Sequence, residues 1–430
     1  MKVFLDTVGC RLNQSEIERM ARQFRTAGHS IVANMSEADL VVVNTCAVTM
    51  QAASDSRQKI RQARRQSTGA EIVATGCWAT LEPEQAKALI SSLRVVLNKD
   101  KDLLTSTILG LNPEELEMDV LERQLLPGTR HRTRAFIKVQ DGCDAFCTFC
   151  ITRIARGRSR SIQIEKVLVD IQSALDGGAQ EIVLSGVQLG SWGKDLSGSP
   201  GLRNLAETVL RETDTNRLRF SSVEPWDIHE NFFEIFTDKR ICRHLHISLQ
   251  SGSIAVLNRM GRQITPDEFL ALLGFARKLD PEFSITTDVI AGFPGETEEE
   301  FQEGLEYIRR AGFSGGHVFP YSPRPGTAAA SMPGQHSLKE RKARAAEVRE
   351  VLLEAATNYQ KQQIGKIGRV LWESSETHDD GFLLQGLSEA FIRVTAVSLV
   401  ELWNVISPVR FVEVGIEGIR GEIIHIPGYI

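Results

Sequence analysis

Short apolar runs alternate with helical patterns over about the first 100 of the 430 residues. The predicted strands lie at 2–5, 40–44 and 71–75, and the predicted helices lie at 15–26, 52–65 and 83–93. Near-continuous apolar strands separated by helices are typical of a parallel sheet. Residues 1–100 are therefore predicted to form an α/β domain built on an open parallel sheet.

A second strand–helix series follows a connector at 101–134 that ends in a basic, turn-rich stretch. Its six predicted strands are 135–139, 181–186, 218–223, 244–249, 285–291 and 316–321, and a long helix at 338–363 closes it. Six such units predict a partial (β/α) barrel over 135–364, related to the eight-unit barrel. From 365 to 430 short strands separated by Gly turns predict a small all-β domain.

The bulk composition narrows the possible classes of protein. Hydrophobic residues make up 42% of the chain, but no apolar run approaches the roughly 20 residues that span a membrane. The N-terminal MKVFLDTVGC has no long apolar core and is expected to be a strand rather than a signal peptide, so we expect a cytoplasmic protein. A net charge of −5 does not favour general nucleic-acid binding, so any RNA contact must come from a local basic patch.

Three cysteines with the spacing C-x3-C-x2-C follow the first predicted barrel strand: Cys143, Cys147 and Cys150. Barrel enzymes place their chemistry at the carboxyl ends of the strands. A 4Fe–4S cluster ordinarily takes four thiolates, so three thiolates leave one iron open to bind a substrate. The alternatives are three structural cysteines on a turn, or zinc. Zinc would usually need a fourth Cys or His, and none follows in residues 151–160.

Cys10, Cys46 and Cys77 each follow a predicted strand and precede a helix. Loops at the carboxyl ends of parallel strands share one sheet edge, so we expect these three thiols to meet there. Nearby helix N-termini should lower the pKa of the thiols and favour thiolates. A second three-thiolate cluster is predicted, with three small buried turn residues as the alternative. Cys242 stands apart from both sets and is expected to be a core residue.

The two cysteine sets together resemble a known family. The C-x3-C-x2-C loop, with an aromatic residue before its last cysteine, resembles that of radical S-adenosylmethionine enzymes. With the three-cysteine segment before it and the β segment after it, the whole chain resembles the radical S-adenosylmethionine methylthiotransferases. The motifs that resemble the branch acting on threonylcarbamoyladenosine in tRNA are GCRLNQSE, NTCAVT, QDGCDAFCTFCI, ARGRSRS, SSVEPW, HISLQSGS, DVIAGFPGET and HVFPYSPRPGT.

The resemblance implies a transferase with two 4Fe–4S clusters, one auxiliary and one that cleaves S-adenosylmethionine. One S-adenosylmethionine would methylate a sulfur on the auxiliary cluster, and a radical from a second would remove hydrogen from carbon 2 of the adenine. Implied partners are a tRNA anticodon loop, a flavodoxin- or ferredoxin-like electron donor and a sulfur source. The C-terminal segment would be a TRAM-like domain. Alternatives are a methylthiotransferase for isopentenyladenosine or for a ribosomal-protein aspartate, and a non-catalytic iron–sulfur RNA sensor.

The family resemblance also implies S-adenosylmethionine contacts at the ends of two barrel strands. The expected residues are Ser185, Gly186 and Val187, which would cradle the methionine end, and Glu224, which would accept from ribose hydroxyls. The alternatives are an ordinary strand–helix turn and a surface glutamate. Other polar residues expected to line the barrel are Ser248, Gln250 and Asp288. The segment GFPGET lacks the ending of a phosphate loop, and Thr297 with Glu300 predicts a helix capping box there.

Basic residues flank the barrel cysteines on both sides. They are Arg130, Arg132, Arg134, Lys138, Arg153, Arg156, Arg158 and Arg160. The six arginines from 132 to 160 are expected to contact phosphates of an RNA loop, with a solvated charged loop as the alternative. The segment 366–430 instead holds nine Asp or Glu against five Lys or Arg, which does not favour phosphate binding.

Overall fold

The computed structural model describes residues 1–116, 124, 133–379 and 381–425. Arg130 and Arg132, which the sequence assigns to the basic patch, lie outside the described residues. The strands of the N-terminal part are β1 (Lys2–Thr7), β2 (Ser30–Ile31), β3 (Leu40–Thr45), β4 (Glu71–Gly76) and β5 (Arg94–Val95). Its α-helices are α1 (Arg11–Thr26), α2 (Met50–Gln66), α3 (Cys77–Leu81), α4 (Pro83–Leu89) and α5 (Leu104–Leu109).

The five N-terminal strands form one parallel sheet in the order β2-β1-β3-β4-β5. The central strand β3 is buried along its whole length, and its alternate side chains enter two apolar cores on opposite faces of the sheet. Val41 and Val43 pack in one core, whereas Leu40 and Val42 pack in the other. The predicted open parallel sheet is confirmed. The two-residue edge strands β2 and β5 were not predicted, because so short a run has no periodicity.

Two differences from the predicted helices fall at cysteines. Helix α1 begins at Arg11 rather than Ser15, so Cys10 is its N-cap residue. A short helix that begins at Cys77 was not predicted, whereas the helix predicted at 83–93 begins at Pro83 as expected and ends at Leu89. The break between the two falls before Pro83, which has no backbone N–H and favours the first turn of a new helix.

The central part contains the partial barrel and a small two-stranded sheet. Its strands are β6 (Arg134–Lys138), β7 (Gln140–Asp141), β8 (Arg160–Ser161), β9 (Glu181–Ser185), β10 (Leu218–Phe220), β11 (Ser222–Val223), β12 (His244–Ile247), β13 (Ser284–Ala291) and β14 (Gly315–Pro320). Its α-helices are α6 (Thr152–Arg156), α7 (Ile164–Asp176), α8 (Gly201–Glu212), α9 (Ile254–Met260), α10 (Pro266–Leu279), α11 (Glu298–Ala311) and α12 (Leu338–Gln363).

The barrel strands pair in parallel as two sheets, β6-β9-β10 and β11-β12-β13-β14. The sheets meet at Ser221, where the third predicted strand is interrupted between β10 and β11. The last strand, β14, is half exposed along its length, so this edge of the partial barrel is open. The long helix α12 has the predicted bounds, and the capping box of Thr297 and Glu300 at the start of α11 is confirmed.

The C-terminal part is a closed five-stranded barrel. Its strands are β15 (Ile367–His378), β16 (Gly381–Ser388), β17 (Arg393–Ser398), β18 (Ile406–Gly415) and β19 (Gly418–Ile423), in the order β15-β16-β17-β19-β18. The predicted small all-β fold is confirmed. Trp372 is fully buried in its core and donates its indole N–H to Ser407 Oγ at 2.9 Å.

Buried charges join the C-terminal barrel to the partial barrel. Glu181 is completely buried and pairs with Arg217 at 2.7 Å and with Arg219 at 2.8 Å. The same two arginines donate to backbone carbonyl groups at the end of β16 and in the turn after it. Burial raises the pKa of Glu181, but the arginines outweigh it and hold the pKa at about 2. Among the described residues, every long helix is too polar to cross a lipid bilayer.

Candidate functional site

The first three cysteines lie in adjacent loops of the N-terminal sheet, and we call them the auxiliary triad. Cys10 follows β1, Cys46 directly follows β3, and Cys77 directly follows β4. Because β1, β3 and β4 are neighbours in the sheet, the three loops meet at its carboxyl edge. Cys46 and Cys77 are buried, whereas Cys10 is exposed. The structure therefore brings together the three thiols that the sequence predicted to meet.

Two glycines allow these loops to approach each other closely. Gly9 has a φ of +98°, and a Cβ added to it would lie 2.4 Å from the Sγ of Cys46. Gly76 has a φ of +94°, and its Cβ would lie 2.3 Å from the carbonyl oxygen of Thr45. A side chain at either position would occupy space that the neighbouring loop already fills, so only glycine fits without a shift of the backbone.

Burial raises the pKa of the Cys46 thiol to about 11, and the neighbouring Cys10 and Cys77 contribute to the rise. The prediction that a helix N-terminus would lower the pKa is therefore wrong for Cys46. Helix α2 begins at Met50, four residues further on, so its N-terminal dipole is too distant to offset desolvation of the thiol. A metal that binds here must displace the thiol proton.

Cys143, Cys147 and Cys150 lie in the loop after β7, and we call them the barrel triad. The Cys143 thiol donates to Gln188 Oε1 at 3.2 Å, and the same oxygen accepts from the backbone N–H of Asp144 at 3.2 Å. The backbone N–H of Ala145 lies 3.4 Å from Cys143 Sγ. Arg262 Nη1 lies 3.9 Å from Cys147 Sγ. Hydrogen bonds of this kind stabilise sulfur that carries negative charge.

The side chain of Gln140, in β7, hydrogen-bonds to the start of the barrel-triad loop and to the loop after β9. Its side-chain N–H group donates to the carbonyl oxygens of Asp141 and Gly142, and its Oε1 accepts from the backbone N–H of Gln188 at 2.8 Å. A Cβ at Gly186 would come within 2.9 Å of that Oε1. Gly186 therefore permits the close contact between this glutamine and the loop after β9.

The polar groups around the barrel triad bear on the kind of metal site that the sequence left open. The N–H groups of Ala145 and Arg262 lie beside the sulfurs of Cys143 and Cys147. Hydrogen bonds to sulfur of this kind are compatible with the iron–sulfur cluster that the sequence predicts.

Glu224 ends the third barrel strand and lies beside the barrel triad. Its carboxylate pairs with Arg262 at 2.7 Å, and the Arg262 guanidinium also stacks over Trp226 at 4.4 Å. Burial raises the pKa of Glu224, and Arg262 partly offsets the rise. The Ser185 hydroxyl donates to its own strand, at Val183 O. Sequence analysis missed Arg262, because it lies 115 residues from Cys147 and no local pattern joins them.

A polar trio crosses the last three barrel strands. The Asp288 carboxylate lies 3.2 Å from His246 Nε2 and 3.2 Å from His317 Nδ1. Burial raises the pKa of Asp288, but hydrogen bonds from the two imidazoles hold it well below its usual range. Asp288 was predicted to line the barrel, whereas the two histidines were not. Their places on neighbouring strands would have become visible only with the strand register.

The arginines of the predicted RNA patch separate into two groups. Arg153, Arg158 and Arg160 are partly or largely exposed beside the barrel-triad loop. Arg134 pairs instead with Glu373 of the C-terminal barrel at 2.6 Å, because it lies at the start of β6, the end opposite the cysteines. Arg156 is buried and paired with carboxylates. The expectation of an RNA contact is wrong for Arg134 and Arg156.

The auxiliary triad and the barrel triad are joined through α6 and β14. Asn98 lies 3.7 Å from Cys77 Sγ and donates to Ala155 O, in α6, at 2.8 Å. Arg324, which follows β14, donates to Val48 O at 3.2 Å. These contacts place the loop after Cys46 against the partial barrel. Cys242 is buried, as expected, but it lies beside the charged Glu181 rather than in a purely apolar core.

Comparisons with known proteins cover most of the chain. The model of an uncharacterized protein family, UPF0004, matches residues 2–98, and that of the radical SAM superfamily matches residues 137–308. The threonylcarbamoyladenosine tRNA methylthiotransferase MtaB of Thermotoga maritima is 38% identical over 86% of this chain and 86% of its own length. The protein of the same name from Bacillus subtilis is 34% identical over 99% and 96%.

More distant similarities agree in fold. A tRNA-2-methylthio-N(6)-dimethylallyladenosine synthase from Caldicellulosiruptor saccharolyticus is 29% identical over 97% of this chain and 91% of its own. The radical S-adenosylmethionine methyltransferase TsrM from Kitasatospora setae superposes with a TM-score of 0.57 at 16% identity, over 76% of this chain and 77% of its own. At that identity the structural likeness supports the fold alone.

Proposed function

Because the chain belongs to the MtaB-type branch of the radical S-adenosylmethionine methylthiotransferases, we propose that it adds a methylthio group to carbon 2 of threonylcarbamoyladenosine beside the anticodon of tRNA. The observation that supports this most directly is the presence of two cysteine triads, each in loops at the carboxyl ends of parallel strands. Generation of the radical requires one cluster site, and insertion of sulfur requires a second. The C–H bond at carbon 2 is unactivated, so its cleavage calls for cofactor chemistry that the protein positions.

We propose that each triad holds one 4Fe–4S cluster. When bound, the barrel cluster supplies the electron that cleaves S-adenosylmethionine, and the auxiliary cluster supplies the sulfur. The chain contributes three thiolates to each cluster, which leaves one iron of each cluster without a protein ligand. Gln188 and Arg262 fix the barrel triad through their contacts with Cys143 and Cys147. Gly9 and Gly76 allow the auxiliary triad to close.

Binding of S-adenosylmethionine is assigned to the ends of β9 and β11. The backbone of Gly186 and Val187 lies beside Gln188, which contacts the barrel triad, so it suits the methionine end of the cofactor. Glu224 would accept from the ribose hydroxyls, and Arg262 holds its carboxylate in place. Ser185 would contribute its backbone, because its hydroxyl is already directed to Val183 O.

We assign RNA binding to the exposed side of the barrel-triad loop. The ring of Phe146 is 72% exposed, and the Arg153 guanidinium stacks on it at 3.7 Å from the ring centroid. An exposed aromatic ring paired with arginine is a platform on which an unpaired base can stack. Arg158 and Arg160 lie nearby and suit phosphate contacts.

The polar trio favours a threonylcarbamoyl group over an isopentenyl group. His317 is 67% exposed at the open edge of the partial barrel, and Asp288 beside it carries a charge. A carbamoyl amide, hydroxyl and carboxylate can all hydrogen-bond with such groups, whereas an isopentenyl chain cannot. This contrast supports the assignment over the isopentenyladenosine alternative.

Three measurements test the proposal. Anaerobic reconstitution should give about eight irons per chain, and about four would contradict two clusters. Reductive cleavage of S-adenosylmethionine to deoxyadenosine should occur, and its absence would favour an iron–sulfur RNA sensor. Nucleosides of tRNA from a strain lacking the gene should lose methylthio-threonylcarbamoyladenosine. An unchanged level of that nucleoside would leave isopentenyladenosine or a ribosomal-protein aspartate as the acceptor to examine.

A further inference from the structure

Buried charged residues join the N-terminal part of the chain to the first strands of the partial barrel, and we call them the charge network. Its members are Glu16, Lys101, Lys138, Asp141 and Arg156, with the amides of Asn13 and Asn44. None of these residues is more than 6% exposed. The comparisons and the cofactor assignment above give this network no role.

Arg156 is the residue of the network that connects the two parts of the chain. Its Nη1 lies 2.9 Å from Glu16 Oε1 and 2.9 Å from Asp141 Oδ1, and its Nη2 donates to Asn13 Oδ1 at 2.7 Å. The guanidinium fork is planar and rigid, so three contacts at once fix the orientation of α6 relative to α1 and β7. Glu16 is also held by Lys101 at 2.7 Å and by Lys138 at 3.2 Å.

Each contact of Arg156 lies on a segment that adjoins a cysteine. Glu16 and Asn13 are on α1, whose N-cap residue is Cys10. Asp141 lies two residues before Cys143, and Arg156 itself ends α6, six residues after Cys150. A shift of one triad relative to the other would therefore have to break this fork.

The charges are costly to bury, which indicates that the network does more than stabilise the fold. Removing ions from water is unfavourable, and well-packed apolar residues often stabilise a protein at least as well as a buried ion pair does. Burial would raise the pKa of Glu16, but the cations Arg156, Lys101 and Lys138 hold it well below its ordinary value. Ala155, next to Arg156, packs in the same core as Cys77, and Asn98 joins the two, at 2.8 Å to Ala155 O and 3.7 Å to Cys77 Sγ. The positive charge of Arg156 therefore lies on the side of the auxiliary triad.

We propose that Arg156 is a positioning residue that fixes the two cysteine triads relative to each other and presents a buried positive charge to the auxiliary cluster. The charge part rests only on the presence of that cluster, whereas the positioning part rests on the proposed function. A nearby cation favours the more negative, reduced state of a cluster and so raises its reduction potential. A rigid fork keeps the distance and orientation between the radical site and the sulfur site constant.

The test uses the full-length reconstituted enzyme with Arg156→Met, Arg156→Lys and Glu16→Gln. Arg22→Met is the matched control, because Arg22, like Arg156, forms an ion pair between α1 and the partial barrel. Its partner is Asp170 of α7, away from the loops that carry the cysteines. We measure iron content, the midpoint potential of each cluster by EPR-monitored titration, and the ratio of deoxyadenosine to methylthiolated product. A loss of stability alone would move neither the potential nor that ratio.

We expect Arg156→Met to lower the potential of the auxiliary cluster and leave that of the barrel cluster unchanged. Its ratio of deoxyadenosine to product should rise by about tenfold to a hundredfold, as a displacement of about 1 Å would cause. Arg156→Lys keeps the charge but loses the fork, so it should retain the potential and still raise the ratio. Glu16→Gln should also raise the ratio, and Arg22→Met should match the wild type in both readouts.

Two results would overturn the proposal: a wild-type potential and ratio in Arg156→Met, or equal effects in Arg22→Met and Arg156→Met. If Arg156→Met does not assemble both clusters, Arg156→Lys and Glu16→Gln decide the positioning part, and a wild-type ratio in both rejects it. If no variant and no wild-type protein modifies tRNA, the proposed function fails instead. The potentials, measured without tRNA, then still decide whether Arg156 acts on the auxiliary cluster.

Discussion

The contact between Gly9 and Cys46 gives a sharp test of the auxiliary triad. Gly9→Ala would place a Cβ 2.4 Å from Cys46 Sγ and 2.5 Å from Cys46 Cβ. Favourable contacts between carbon atoms lie at about 3.5–4.0 Å, so one loop must move by about 1 Å. The φ of +98° adds roughly 1–2 kcal/mol of backbone strain for any residue with a Cβ.

A displacement of about 1 Å should separate Cys10 from Cys46 and prevent assembly of the auxiliary cluster. We expect iron to fall from about eight to about four per chain, while the EPR signal of the barrel cluster and cleavage of S-adenosylmethionine remain. Formation of the methylthiolated product should fall by about a hundredfold or more. Iron analysis and EPR of anaerobically reconstituted protein measure the first two effects, and nucleoside mass spectrometry measures the third.

Gly28→Ala is the matched control for this experiment. Gly28 also has a positive φ, +77°, but nothing lies within 4 Å of where its Cβ would be. It should lose only the stability that the positive φ costs, which is less than the loss in Gly9→Ala, and keep both clusters. The reasoning would be refuted if Gly9→Ala retained about eight irons with both EPR signals intact, or if Gly28→Ala lost the auxiliary cluster as well.

Three other predictions concern the partial barrel. Glu181→Gln should lower the free energy of unfolding by about 3 kcal/mol at neutral pH, because the carboxyl pKa is lowered from 4.5 to about 2. In the wild type this contribution is present above pH 4.5 and is lost as the pH falls towards 2. The free energies of unfolding of the two proteins, measured by denaturation at each pH, should therefore converge in acid. A difference that stays constant with pH would contradict this prediction. Arg262→Lys should weaken S-adenosylmethionine binding about tenfold, measured by calorimetry, and unchanged affinity would remove Arg262 from that site. Replacing Arg158 and Arg160 by Glu should weaken tRNA binding and lower the slope of its salt dependence by the equivalent of about two phosphate contacts. Cleavage of S-adenosylmethionine in the absence of tRNA should not change. An unchanged salt slope would argue against phosphate contacts.

The sequence alone predicted the parts of the fold that have a local periodic signal. Apolar strands, the long helix α12 and the capping box at Thr297 all follow from neighbouring residues. Elements without such a signal were missed: the two-residue strands β2 and β5, and the interruption of the third barrel strand at Ser221. Helix starts near the cysteines were misplaced or missed, because the glycines before them, such as Gly76, fix the boundary through contacts with another loop.

The candidate site divides in the same way. Cys143, Cys147 and Cys150 were predicted as one set from their spacing in a single loop. Cys10, Cys46 and Cys77 were predicted as a second set because each follows a strand of a parallel sheet, whose neighbouring loops share one edge. Only the tertiary structure decided which charged side chains are exposed and which are buried in ion pairs. Arg156 and Arg158 are two residues apart and alike in composition, yet one is 4% exposed and the other lies on the surface. The partner that buries Arg156 is Glu16, 140 residues away, and no local pattern connects them. The sequence thus determined which thiols group together as a set. The packing of distant segments decided which charged residues surround them, because burial and ion pairing depend on contacts that only the folded chain makes.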